Sequence, residues 1–497
     1  MGIIKRQGLK NNIITYIGVF IGFFNLIILQ PYVLAPEELG LLRLLLSASV
    51  LVASIYPLGL NSFIIKYFSY FRDKDSGHNG FAGFLIIYSS ILFVVCSVVL
   101  FYFKSFFISK FSNSALFVEQ FYYVLPMSYF LGLFNVFTAY SFSIYKTTVP
   151  SFLNEVINRI ILVVAICLYY LKLISFEWLV IIYVFSFLII LLLLFIYFIK
   201  TDKLKFSFKR NLFNLIPKKE AIRFSVVMGV TSLAYISLRN IDSIFIASYK
   251  NLSDVAVYSV AFTICTLIDV PGNALSKIVV PKIADAFKSN NLDYVKELYY
   301  QSNRITVIAG AFLFLLMYTN ADSILYLLPE KYHNGVVVLK IIAASSFVNM
   351  ITGFNMNLIQ YSPYYIVGSI TIICLAFLSA MFNVFLIPQY GIEGAAISTA
   401  LSILIVNGFT VLYIYYKYQM QAIRLTDVYI IGFTIALVIV NSYLPTIENN
   451  YLSIIIKSIC ITTIFYIVVI AFDLIPEAKN MLSLSEIKKL FGKNKQA

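Results

Sequence analysis

Three arginines, Arg43, Arg159 and Arg239, stand inside long apolar runs. Arginine stays charged, and its planar fork matches two oxygens of a phosphate or carboxylate. A charge at membrane depth is costly, so such residues face protein, water or a charged ligand. The three would suit an anionic lipid headgroup. Each pair also has a plainer reading. Glu155 precedes Arg159 by four residues and Asp242 follows Arg239 by three, so both can close as ion pairs on one helical face. Asp242 and Asp269 are two carboxylates within apolar runs, costly there for the same reason. Asn25 and Gln30 add neutral polar groups to the first apolar run. Pro57 with Gly59, and Pro271 with Gly272, break two other runs and are candidate conformational positions.

These residues need elements to position them. The chain has 497 residues, of which 61% are hydrophobic and 12% charged. Charged residues are thus about half as frequent as in a soluble domain. No water-soluble core could absorb that much apolar surface, and a disordered chain is excluded on the same grounds. The composition fits an all-α polytopic membrane protein. A spanning helix needs about 20 apolar residues. Fourteen such spans are predicted, at 11–34, 39–66, 81–103, 118–144, 150–170, 176–199, 221–247, 254–282, 301–319, 335–358, 364–387, 392–416, 427–445 and 451–474. They lack strand-like alternation, which argues against a β-barrel. The first run has no small-residue cleavage site and reads as an uncleaved helix.

Five cysteines, Cys96, Cys167, Cys265, Cys374 and Cys460, are scattered singly in apolar runs and read as small buried hydrophobes. The two histidines, His78 and His333, fall in predicted loops, so no metal site is expected. No residue is assigned a catalytic role. Walker and glycine-rich phosphate motifs are missing from the sequence, so nucleotide hydrolysis is not expected.

The net charge of +14 is distributed unevenly. With the N-terminus in the cytoplasm, twenty-five Lys and Arg fall on the cytoplasmic side and five on the other. That bias places both termini in the cytoplasm and reports orientation rather than a nucleic-acid partner. The largest basic connection, 200–223, reads chiefly as topology and attraction to lipid headgroups.

The same connection divides the chain. Matching features recur at nearly constant offsets: Pro57 and Gly59 against Pro271 and Gly272, Pro150 against Pro363, Glu177 against Glu393. The spacing suggests a duplicated six-helix unit of unchanged orientation, a pattern of transporters whose substrate cavity lies between repeats. The expected organisation is a lobe over 1–210, a second over 211–420, and two further helices with a basic tail over 421–497.

One stretch carries a resemblance. Asn383-Val-Phe-Leu-Ile-Pro388-Gln-Tyr-Gly391-Ile-Glu-Gly394-Ala-Ala-Ile-Ser-Thr399-Ala is similar to an element of polysaccharide-unit flippases of the multidrug/oligosaccharidyl-lipid/polysaccharide exporter superfamily. Asp242-Ser-Ile-Phe-Ile-Ala247, Val257-Tyr-Ser-Val-Ala261, Val280-Pro-Lys-Ile283 and Leu39-Gly-Leu-Leu-Arg43 resemble other elements of it, with Ala247 and Ala256 where glycine is common. The resemblance implies a MATE-like fold of two pseudo-symmetric six-helix lobes plus two C-terminal helices. It implies a non-enzymatic flippase of the bacterial inner membrane, moving an undecaprenyl-pyrophosphate-linked oligosaccharide outward by alternating access. Its partners would be that lipid, membrane lipids and other polysaccharide-assembly proteins, without nucleic acid. No cofactor is implied; coupling to protons, sodium or membrane potential stays open, with Asp242 and Asp269 as the candidate proton or sodium sites. Two alternatives stand beside it: an ion-coupled multidrug antiporter of the same superfamily, and a membrane glycosyltransferase or polysaccharide polymerase. The short outer loops count against the enzyme.

Overall fold

The computed structural model describes residues 14–15, 17–73, 78–202, 216–421, 423–443 and 449–471. Most of the basic connection after 202 and the basic tail lie outside them. Every regular element among the described residues is helical. Among the described residues, twelve helices are long and apolar enough to cross a membrane, making this a multi-pass membrane protein, and a shorter apolar helix precedes them. In chain order they are α1 (Ile17–Val33), α2 (Pro36–Ile55), α3 (Phe81–Tyr102), α4 (Ala115–Ser143), α5 (Thr148–Tyr170), α6 (Phe176–Thr201) and α7 (Lys218–Tyr249). Then follow α8 (Leu252–Lys288), α9 (Leu292–Thr319), α10 (Glu330–Ile351), α11 (Tyr365–Tyr418), α12 (Leu425–Tyr443) and α13 (Asn450–Val469).

The 54 residues of α11 are too many for one crossing, since about 20 suffice. Gly391 breaks the run with φ 61° and ψ −135°, a conformation that glycine tolerates and other residues rarely adopt. The Ser398 hydroxyl donates to the Ser379 carbonyl at 2.9 Å. A Cβ on Gly394 would strike the Leu386 carbonyl. The two legs therefore run antiparallel, as a helical hairpin turning at Gly391.

The chain forms two compact units, residues 1–264 with 365–406, and residues 265–364 with 407–497. The first contains α1 to α7, the start of α8 and most of the α11 hairpin. In it α2 packs on α4 and α7. Pro36 opens α2, and Glu38 accepts a 2.8 Å hydrogen bond from the Ala35 amide, satisfying one of the exposed helix-start donors. Past Ile55 the chain turns through Leu58 (φ 44°) and Gly59 (φ 76°) before the short helix Leu60–Tyr67. Pro57 and Gly59 thus sit in a real break. A Cβ on Gly59 would meet the Ser225 carbonyl and the Gly229 nitrogen, so backbones cross here in near contact.

In the second unit α9 packs on α10, α12 and the later part of α8. The break in α8 comes earlier than Pro271 suggests. Thr266–Asp269 tighten into a 3₁₀ turn, and Pro271 then opens the next helical stretch, where its missing N–H costs little.

Outward faces are apolar. On α3, Val94, Val95, Val98, Val99 and Phe101 are each at least half exposed. That surface is stable only with lipid as the solvent. The reading of the cysteines as buried is corrected in part: Cys265 is buried and Cys96 half-buried, but Cys167, Cys374 and Cys460 are exposed.

Candidate functional site

The first cluster is built on α1 and α5. Glu155 and Arg159 form an ion pair at 2.5 Å, one helical turn apart, each about a quarter to a third exposed. Arg159 also donates to the Gly18 carbonyl of α1. Gly18 and Gly22 are spaced by four, and Cβ atoms there would collide with Glu155 and with the Arg159 guanidinium. This small-xxx-small face lets α1 lie directly on the ion pair. The four-residue spacing of Gly18 and Gly22 is legible in the sequence, but what it packs against is not.

Farther along α1, buried Gln30 accepts a 2.7 Å hydrogen bond from Arg43 of α2. Asn25 lies between, buried, with its side-chain oxygen unpartnered. Gly18 and Gln30 are twelve residues apart, which is about 18 Å of helix. Arg43 and Arg159 therefore hold opposite parts of α1 and do not converge on one phosphate. They flank a helix whose middle carries Asn25. Two stretches among the described residues are π-helical, Phe24–Leu29 and Leu153–Ile157. They contain Asn25 and Glu155, and such locally widened turns occur often at functional sites.

Arg239 stands apart. It is exposed and lies over the Tyr235 ring at 5.8 Å instead of pairing with Asp242. The expected ion pair is thus replaced by a different arrangement, and it forms the second cluster. Asp242 is buried on α7. It accepts hydrogen bonds from Tyr258 of α8 at 2.6 Å, Asn383 at 2.7 Å and Thr399 at 2.9 Å. Asn383 and Thr399 stand on the facing legs of the α11 hairpin, so one carboxylate ties four helical segments together. All three named donors are neutral. The oxygen of the fully buried Asn383 side chain has no hydrogen-bond partner. An arrangement of carboxylate, amide and hydroxyl oxygens is chemically suited to a hard cation or a proton. Asp242 is conspicuous in the sequence as a carboxylate in an apolar run; the signal for its partners is weaker, Asn383 and Thr399 being polar residues in the apolar runs that flank Pro388 and Gly391.

Asp269 is half-buried at the end of the 3₁₀ turn of α8 and belongs to the second compact unit. Nearby Gly272 faces Met350 of α10. Glu37 and Glu38 act as a helix-start turn: Ser253 donates to Glu37, and Tyr169 donates to Glu38 at 2.8 Å.

A model of the polysaccharide biosynthesis protein family matches residues 8–287. Among solved structures, the fold is similar to the lipid II flippase MurJ in an inward closed conformation, with a TM-score of 0.72 at 15% identity, over 92% of this chain and 98% of that one. It is also similar to a multidrug resistance MATE family transporter of the MOP superfamily. The inward-facing form gives a TM-score of 0.66 at 15% identity over 80% and 94% of the two chains. The outward-facing form gives 0.60 at 16% identity over 84% and 96%. No curated protein matches the chain by sequence.

Proposed function

Because the chain belongs to the polysaccharide biosynthesis protein family, whose model covers more than half of it, we propose that it is a flippase for a polyprenyl-pyrophosphate-linked oligosaccharide. It carries the headgroup from the cytoplasmic to the outer leaflet of a bacterial inner membrane, with both termini cytoplasmic. The observation that carries the substrate class is the pair of partly buried arginines that contact α1 at Gly18 and at Gln30, with Asn25 between those positions. A pyrophosphate engages one fork at a time, while Asn25 and neighbouring polar groups meet sugar hydroxyls. The lipid tail stays in the bilayer. Similarity to a lipid II flippase supports a lipid-linked substrate.

The helix hairpin at Gly391 supplies two crossings, and α1 supplies another, which brings the proposed count to fourteen. The two-lobe organisation over 1–210 and 211–420, and alternating access through the breaks at Pro57–Gly59 and Pro271–Gly272, belong to the same proposal. So do contacts with other polysaccharide-assembly proteins. Coupling is assigned to Asp242, whose carboxylate is held by neutral donors beside the unpartnered Asn383 oxygen. Asp269 is a second candidate. An inside-negative potential favours outward movement of an anion by about 2.3 kcal/mol per charge per 100 mV.

An ion-coupled multidrug antiporter is the second reading, favoured by the same carboxylate and by similarity to MATE transporters. The readings differ in the sign of the cargo. Binding of a soluble-chain polyprenyl pyrophosphate to purified protein, competed by inorganic pyrophosphate and not by organic cations, supports the flippase. The opposite competition supports the antiporter.

A further inference from the structure

Away from both clusters, the first compact unit has an open groove of about 580 Å³. One side is Leu58, Leu60 and Phe63, at and after the break in α2; a second is Phe84 and Tyr88 of α3. The start of α7 closes it with Ala221, Ile222 and Val226. We propose that this groove binds one acyl chain of an anionic phospholipid, with the lipid phosphate at the basic start of α7.

The break in α2 makes the groove. With Leu58 and Gly59 in left-handed conformations, the chain steps sideways, and the Gly59–Gly229 approach pins the step against α7. Leu58 is left 48% exposed. Apart from Lys218 at its basic end and the hydroxyl of Tyr88, the lining offers little to a hydrogen-bonding ligand. The Ser225 hydroxyl is already donated to the Ala221 carbonyl at 2.8 Å. A sugar or polar drug would lose hydration there without replacement, whereas a hydrocarbon chain would not. The volume lies within the range of about 300–1,000 Å³ that small ligands occupy.

Charge selects the headgroup. Lys218, Lys219 and Arg223 lie in the first two turns of α7, with Glu220 the one acid among those six residues. Lys66 lies over the Phe224 ring at 3.9 Å and brings a fourth cation to the same end. Cations at a helix N-terminus oppose the macrodipole, which favours anions there. An arriving phosphate is attracted by both the side chains and the helix end, which a zwitterionic headgroup matches less well.

The test uses the full chain, whose single tryptophan is Trp178. Trp178→Phe is combined with Ile222→Trp as a groove reporter, or with Val98→Trp as a reporter on the outward face of α3. Each is reconstituted in phosphatidylcholine vesicles containing phosphatidylglycerol or phosphatidylcholine brominated on the acyl chains. Expected is half-maximal quenching of Ile222→Trp at a mole fraction lower for phosphatidylglycerol by about five-fold per basic residue engaged. Val98→Trp should show no such preference, and adding Lys218→Gln and Lys219→Gln should reduce the preference at the groove. Equal quenching by the two headgroups at Ile222→Trp overturns the proposal, as does displacement of phosphatidylglycerol by an equal fraction of polyprenyl phosphate. Should the reporter fail to fold, phosphatidylglycerol retained through purification is counted by native mass spectrometry. Retention unchanged between the unmodified chain and Lys218→Gln with Lys219→Gln overturns it as well.

Discussion

Asn383 donates a 2.7 Å hydrogen bond to Asp242 across 141 residues of sequence. It joins the α11 hairpin to the C-terminal half of α7, and Thr399 repeats the contact from the other leg. A carboxylate this deeply buried would be costly without these donors. With them it is a polar junction whose occupancy by a cation or proton would be felt by four segments at once.

Asp242→Asn keeps the shape and removes the charge. The expected result is folded protein whose transport no longer responds to an imposed sodium or proton gradient, with a loss of at least about ten-fold in the driven rate, of the order a lost charge-assisted hydrogen bond produces. Vesicle uptake with and without each gradient measures it. An undiminished response to both gradients would remove Asp242 from coupling.

Glu155 competes with any anion for Arg159, because the carboxylate already occupies the guanidinium. Glu155→Gln should therefore tighten pyrophosphate binding several-fold, and Arg159→Ala should weaken it. Arg159→Lys should not restore it, since an ammonium lacks the bidentate fork. Isothermal titration on purified protein reads all three. Weaker binding in Glu155→Gln would mean that the carboxylate positions Arg159 rather than blocking it.

Gly59→Ala should lower the thermal unfolding temperature in detergent. The positive φ costs about 1–3 kcal/mol for a side chain, before any clash with Ser225 and Gly229. Gly391→Ala carries the conformational cost without a close contact, since the nearest atom to its Cβ would be 3.6 Å away on Lys250. Gly59→Ala should thus be the more damaging of the two. An equal or larger loss in Gly391→Ala would show that the close approach at Gly59 is not what sets the cost.

Hydropathy made the crossing segments readable, because a bilayer imposes length and apolarity on each one locally. Gly391 was readable for the same reason: Pro388 and Gly391 punctuate an apolar run, and the chain does reverse there. The break in α8 was placed too late, since Pro271 opens a helical stretch comfortably and the tightening lies in Thr266–Asp269. The partners of Asp242 were not readable. Spacing within one helix offered Arg239, three residues away, while the actual donors come from Tyr258, Asn383 and Thr399 on other segments. Local periodicity says which face a residue shares, and only tertiary packing decides what that face meets. The same limit applies to Arg43 and Arg159. Their types pointed to an anion, but their separation along α1 became visible only once Gln30 and Gly18 were seen to receive them.

The most direct test of the account is the leaflet position of lipid-linked oligosaccharide units in cells depleted of this protein. Membranes are probed from the outer side with a sugar-modifying reagent that does not cross the bilayer. The flippase reading predicts that complete units accumulate and are protected from the reagent until the membrane is opened. Complete units that remain accessible from outside, in normal amounts, would contradict it.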